Sequence, residues 1–267
     1  MPCFICVQCG MQFAPSIDPP ESCPICEDVR QFVRWDGQAW TTLDEMRRTH
    51  AARLENDHGL LGISSKPGFA IGQRALLVPT ADGNILWDCS ALIDDEIVGR
   101  ISEMGGLSAI CISHCHYYTT MIEWSDAFGG VPIYLHEDNR KWVQRDSKAV
   151  VYWSGEEFEI SGSATLLRVP GHFAGGTILH WPQGAGGAGA LLSGDILQVT
   201  QDRLFVSFMY SYPNYIPVNA KTVTRIGEII EPLAFDRIYG AFWQRVIDSD
   251  AKAASRASVE RYLRAIS

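Results

Sequence analysis

Two sets of side chains in this sequence can bind a metal ion. "CVQCG" and "CPIC" place Cys6, Cys9, Cys23 and Cys26 in two C-x2-C pairs separated by 13 residues. Each pair can wrap a turn of backbone around a cation, and four thiolates complete the tetrahedral shell of a structural zinc. Gly10, directly after the first pair, supplies the tight corner of such a knuckle, which is why Cys6 and Cys9 are preferred over the equally spaced Cys3 and Cys6. Clustered cysteines in a reducing compartment point to metal rather than disulfides. A segment this short has too little apolar surface to fold unaided, so the metal would contribute its folding energy.

The second set is spread along the chain. His114 and His116 sit one residue apart in "SHCHYYTT" after the apolar run "LSAICI", which lets two imidazoles leave a strand end towards one cation. His172 in "VPGHFAGGT" and Asp195 in "LLSGD" also end apolar runs beside glycine. Three imidazoles and a carboxylate suit zinc, or iron(II) where coordination positions stay open. The other histidines read as structural: His50 on a helix stripe, His58 in a loop, His136 at the top of a strand and His180 facing a partner across a sheet. Cys89 and Cys111 read as core, and Cys115 as a buried small side chain or a redox-sensitive thiol.

Elements must aim these donors. Thr42 and Glu45 make a capping box, and Leu43, Met46, His50 and Leu54 form a stripe that predicts a helix to about Asn56. "RALLVPT" and "NILWDC" around "ADG" predict a hairpin, and Ile93, Ile97, Ile101 and Met104 a helix stopped by Gly105 and Gly106. "SAICI" and "VPIYLH" read as strands, "TMIEWSDAF" and "EDNRKWVQ" as helices. Short strands "VVYW", "ATLLRV", "TILHW" and "ALLSGD" follow, with a glycine-rich loop at "QGAGGAGA" and helices from about Asn219 and Ser249. The chain therefore divides into a metal module over residues 1–34, a helical linker over 35–66 and a large domain over 67–267. Strand-rich halves closed by helices predict an α+β fold with two sheets face to face and helices outside.

Taken in order, "LWDCS", "SHCH", "GHFAGG" and "SGD" resemble the metallo-β-lactamase superfamily from about Phe69 to the C-terminus. The cysteine module resembles zinc ribbons and, more loosely, rubredoxins. The resemblance implies a four-layer αβ/βα sandwich with a small N-terminal zinc ribbon. It also implies that Asp88 braces the histidine loop, that His114, His116 and His172 form a metal site, and that Asp195 is the carboxylate that bridges two metals in binuclear members. The chain departs from the superfamily pattern H-x-H-x-D-H, because Tyr118 and Thr119 stand where Asp and His belong, and Phe242 stands where a last histidine is expected. Tyrosine and threonine are poor zinc ligands and phenylalanine is none, so one ion is expected at the histidine site, zinc or iron.

The leading expectation is a metal-dependent hydrolase acting on a small molecule through a mononuclear site. One ion can lower the pKa of water and polarise a substrate oxygen, with Asp195 or Tyr118 replacing the lost Asp as the group that orients water. Tyr117, and Tyr210, Tyr212 and Tyr215 of the aromatic stretch "VSFMYSYPNYIP", are candidate substrate contacts; a packed loop or a dimer contact is the other reading of that stretch. A mononuclear iron oxygenase or redox protein and a catalytically silent ligand-binding domain are the competing expectations.

Composition narrows the partners. A formal charge of −9 with no Lys/Arg-rich run argues against nucleic acid, whose phosphates need clustered cations. No apolar stretch reaches the ~20 residues of a membrane span, and "MPCFICVQCG" lacks the basic start and apolar core of a signal peptide. A cytoplasmic protein with no membrane partner is expected.

Overall fold

Apolar runs become strands here wherever a turn lets them pair. In the computed structural model, which describes residues 1–267 except the side chain of Ser161, the described residues form a seven-stranded sheet, a six-stranded sheet and three two-stranded ribbons. The chain divides into two compact units, Met1–Leu135 with Asn139–Tyr152, and His136–Asp138 with Trp153–Ser267.

The first unit is built on the seven-stranded sheet, whose spatial order follows the chain: Ala51–Asp57, Leu60–Lys66, Ala75–Thr80, Gly83–Trp87, Ala109–Cys111, Ile133–His136 and Val150–Trp153. The first four strands pair antiparallel. Ala109–Cys111 runs parallel to both its neighbours and is buried throughout, which explains its unbroken apolar sequence. The expected hairpin turns at Gly83, where φ is +115° and an added Cβ would stand 2.8 Å from the Ser108 Cβ. The helix Asp95–Glu103 starts where the Asp94 carboxylate accepts from the Ile97 N–H at 2.9 Å, and it buries Ile97 and Ile101. The N-terminal strands Phe4–Cys6 and Trp40–Thr42 pair antiparallel, with Phe4 opposite Thr42.

The helical linker expected over residues 35–66 is corrected. Half of the capping box forms: the Thr42 hydroxyl accepts from the Glu45 N–H at 3.2 Å while the Glu45 carboxylate pairs with Arg48, and the helix covers only Leu43–Thr49. Beyond it Ala51–Asp57 and Leu60–Lys66 form a hairpin that opens the large sheet. His58 and Gly59, both at positive φ, make its turn, and the Asn56 side chain accepts from the Gly59 N–H. Seven residues of strand pairing outweigh the helical continuation of the stripe to Leu54.

The second unit carries the six-stranded sheet, in the order Glu157–Ser161, Ala164–Arg168, Thr177–Trp181, Ala190–Gly194, Arg237–Gly240, Val246–Ile247. Ala190–Gly194 pairs parallel with Arg237–Gly240. Asn219 caps the helix Ala220–Ile230, which packs Val223, Ile226 and Ile230 against Ile178, Leu191 and Ile238 of the sheet. Each such side chain contributes about 1.5–3 kcal/mol on burial, so this unit has a core of its own. His180, expected to face a partner across the sheet, stands opposite Thr165 and Leu191 in the register, and its Nε2 lies 2.8 Å from the Ala234 carbonyl. Among the described residues no helix is long and apolar enough to cross a membrane.

Candidate metal sites

Cys6 ends the strand Phe4–Cys6, and the chain then folds back so that the Gly10 N–H donates to the Cys6 carbonyl at 2.8 Å and the Cys6 N–H to Met11 at 2.9 Å. Gly10 supplies the required φ of +82°. Cys23 precedes a helical turn, Pro24–Glu27, that carries Cys26. All four cysteines are buried and Cys3 lies outside the group. The Cys6–Cys26 and Cys9–Cys23 sulfurs are 3.6 and 3.5 Å apart. That is far beyond a disulfide's ~2.05 Å and close to the ~3.8 Å edge of a tetrahedron with ~2.3 Å zinc–sulfur bonds. Hydrogen bonding, first of all with Cys23, draws Cys6 down to the thiolate and pushes Cys9 and Cys26 up, as four close sulfurs cannot all ionise without a cation. The donor set fits a structural metal.

In the first unit the histidine loop leaves the buried strand Ala109–Cys111. Asp88, at a φ of +61° and fully buried, accepts from the Ser113 N–H at 2.7 Å, while its own N–H donates to the Cys111 carbonyl. His114 is extended and opens a 3-10 turn, Cys115–Tyr117, that brings the His114 and His116 rings to 4.8 Å. Both rings are buried, and the Ser113 hydroxyl lies 3.0 Å from His114 Nδ1.

The second half of the loop packs against its surroundings. Tyr117 and Tyr118 are 0% and 1% exposed, the Tyr117 ring packing edge-on against His114. The Thr120 hydroxyl donates to the Ala91 carbonyl and the Trp124 indole to Ser90. Thr119 faces the cysteine knuckle: its carbonyl accepts from the Gln12 N–H at 3.3 Å, and its methyl stands 3.2 Å from where a Gly10 Cβ would be. Tyr117 and Tyr118, offered by the sequence as substrate contact and water-orienting group, are as deeply buried as His114 and His116. Phe242 lies in the second unit, partly buried, with its carbonyl accepting from the Arg245 N–H.

In the second unit His172 Nδ1 lies 3.1 and 3.0 Å from the Met209 and Tyr210 carbonyls, so Nδ1 is placed to donate and Nε2 is the nitrogen turned to a metal. Nε2 is 3.8 Å from an Asp195 carboxylate oxygen, both residues being buried. Burial pushes the Asp195 carboxyl above its ordinary range, against the pull of His172. The Tyr212 hydroxyl donates to the Asp195 carbonyl at 2.7 Å, and its ring sits 5.7 Å from that of His172. Residues 206–217 therefore serve this pair through backbone carbonyls and a hydroxyl, while Tyr215 is 85% exposed. Each unit carries two of the four expected donors. Sequence reasoning missed Gln73, a buried amide that bonds both the knuckle and the histidine loop; no local pattern marks it.

Over 270 aligned residues the chain is 46% identical to YmaE of Bacillus subtilis (strain 168), which spans all of this chain and 97% of that protein. The chain belongs to the YmaE family. No family model matches it. Among solved structures, VMB-1 aligns over 81% of this YmaE-family chain and 98% of its own with a TM-score of 0.59 and 14% identity. DIM-1 metallo-β-lactamase aligns over 80% and 95% with 0.55 and 14%, and a metallo-β-lactamase from Pontibacter korlensis over 81% and 93% with 0.52 and 15%. At these identities the likeness is one of fold. The YmaE-family chain thus has the α+β metallo-β-lactamase fold with a four-cysteine cluster near its N-terminus.

Proposed function

We propose that His114, His116, His172 and Asp195 hold one ion and that the chain is a metal-dependent hydrolase of a small molecule. The observation that carries this reading is the His172–Asp195 pair. An imidazole whose Nδ1 is committed to two carbonyls turns its other nitrogen towards a buried carboxylate, so two electron-pair donors face one spot, and a cation reconciles them. The remaining two imidazoles lie in "SHCH", the stretch where the resemblance to metallo-β-lactamases implies ligands. Tyr118, Thr119 and Phe242 supply no second set of donors, so one ion is the stoichiometry proposed.

A bound ion would supply a Lewis acid that polarises a substrate oxygen and lowers the pKa of water. The side chains would supply the rest. Asp195, beside the ion, can orient a water molecule through a carboxylate oxygen. Tyr118, held protonated by burial, would orient water through a hydroxyl that can donate or accept. Tyr210, Tyr212 and Tyr215 would border the substrate. Metal analysis of protein purified without added metal tests the reading: two equivalents are expected, with zinc at the histidine site. Iron there would favour oxygen chemistry instead, and a single equivalent held by the cysteines would overturn the site.

A further inference from the structure

Gln73 is 4% exposed and lies in the first unit just before the strand Ala75–Thr80. Its amide nitrogen donates to the Cys9 carbonyl at 2.7 Å and to the His116 carbonyl at 3.0 Å. Both amide hydrogens are thereby spent on two backbone oxygens, one belonging to a cysteine of the knuckle and the other to a histidine of the loop. The approach is close: a Cβ on Gly10 would stand 3.1 Å from the Gln73 amide nitrogen and 3.2 Å from the Thr119 methyl. A second strap, from the Gln12 N–H to the Thr119 carbonyl, runs beside the first.

We propose that Gln73 is a positioning residue that makes the histidine site depend on the state of the cysteine cluster. The inference rests on His116 being a metal ligand, as proposed above. The Cys9 carbonyl keeps its place only while the knuckle is wound, and winding depends on a cation held by the four sulfurs. The His116 carbonyl is the hinge of the 3-10 turn that aims the ring. One rigid amide between them passes a shift of the knuckle to the imidazole, and ligand aim governs metal affinity. Thr119, where the metallo-β-lactamase pattern has a ligand, contacts the knuckle instead, so the loop has exchanged direct coordination for support from the cysteine module.

The test uses the full chain and Zn2+ titrated against a chromogenic chelator. Gln73→Met, of similar volume but without the amide, should weaken the histidine site about 10–100-fold and leave the cysteine site loaded. Cys9→Ser should empty the cysteine site and weaken the histidine site to a similar degree, with little additional loss in the double variant, as the two changes break one connection. A role in packing alone predicts instead that the losses multiply. Gly10→Ala, which keeps every ligand, should weaken the histidine site in the same direction and serves if Gln73→Met does not fold. Histidine-site affinity unchanged within twofold in Gln73→Met and Gly10→Ala, or multiplicative losses, overturns the inference while leaving the hydrolase reading intact. A wild-type chain that takes up only one equivalent overturns both.

Discussion

The two metal sites are built on opposite plans. The cysteine cluster draws four ligands from a short N-terminal stretch within one unit, held by one knuckle and one helical turn. The histidine-site donors are carried differently: His114 and His116 follow a buried strand of the first unit, and Asp195 follows a strand of the second, which has a core of its own. In the first plan the ion organises the backbone. In the second the backbone is already organised and the ion is a guest. Removing metal should therefore unravel one region and only relax the other.

The largest effect is expected from Cys23→Ser. Loss of one thiolate should release about one equivalent of metal, remove several kcal/mol of local folding energy and open the first ~35 residues to protease. The second unit, with its own core, should keep its protection, so limited proteolysis with metal analysis checks the contrast. Full metal retention and resistance would mean that the cysteines are ordinary packing.

His116→Ala should take total metal from about two equivalents to about one without fraying the N-terminus. In excess Zn2+ it should lower stability by about 3–4 kcal/mol, the linkage expected at 100–1,000 times the dissociation constant, and most of that difference should vanish in chelator. A loss that persists in chelator would place His116 in the scaffold. Asp88→Ala comes next, at about 2–3 kcal/mol, because it strands the buried Ser113 N–H and puts Ala at a φ of +61°. Faster amide exchange over residues 113–120 should report it, and Asp88→Asn, which accepts the same bond and tolerates that φ, should recover most of it. Tyr212→Phe should cost only about 1 kcal/mol, the net worth of a hydroxyl shared between the Asp195 and Ser207 carbonyls, seen as a small drop in thermal midpoint.

The smallest expected effect is none. Tyr118→Asp with Thr119→His and Phe242→His restores the donor types of a binuclear loop, yet an imidazole at position 119 would have to enter the space between the Thr119 methyl and Gly10. Total metal should stay at about two equivalents. A third equivalent would show that the loop retains binuclear geometry despite the knuckle.

What the sequence made legible follows from how local each signal is. The cysteine pairs, Gly10 and the Thr42 cap are settled within a few residues, and the structure places them as their spacing implies. The parallel strand Ala109–Cys111 was readable because burial on both faces leaves no polar position. The stripe through Leu54 misled because helix and strand both accept Leu43, Met46 and Leu54, and only the pairing of Ala51–Asp57 with Leu60–Lys66 decides between them. Gln73 was invisible for a different reason. Its partners, Cys9 and His116, are 64 and 43 positions away, and a glutamine carries no pattern of its own.

The strand order of the first sheet also fixes an order in time. Every strand lies beside its sequence neighbour, so contacts close over short loops and the sheet can grow as the chain emerges from the ribosome. Ala190–Gly194, which leads into Asp195, can pair at once with Thr177–Trp181 but is flanked on its other side only after the helix Ala220–Ile230 is made. A nascent chain would thus present a finished His114–His116 loop well before its carboxylate is set, and a scavenged ion at that stage would meet two ligands and dissociate quickly. Metal selection is deferred to the completed protein.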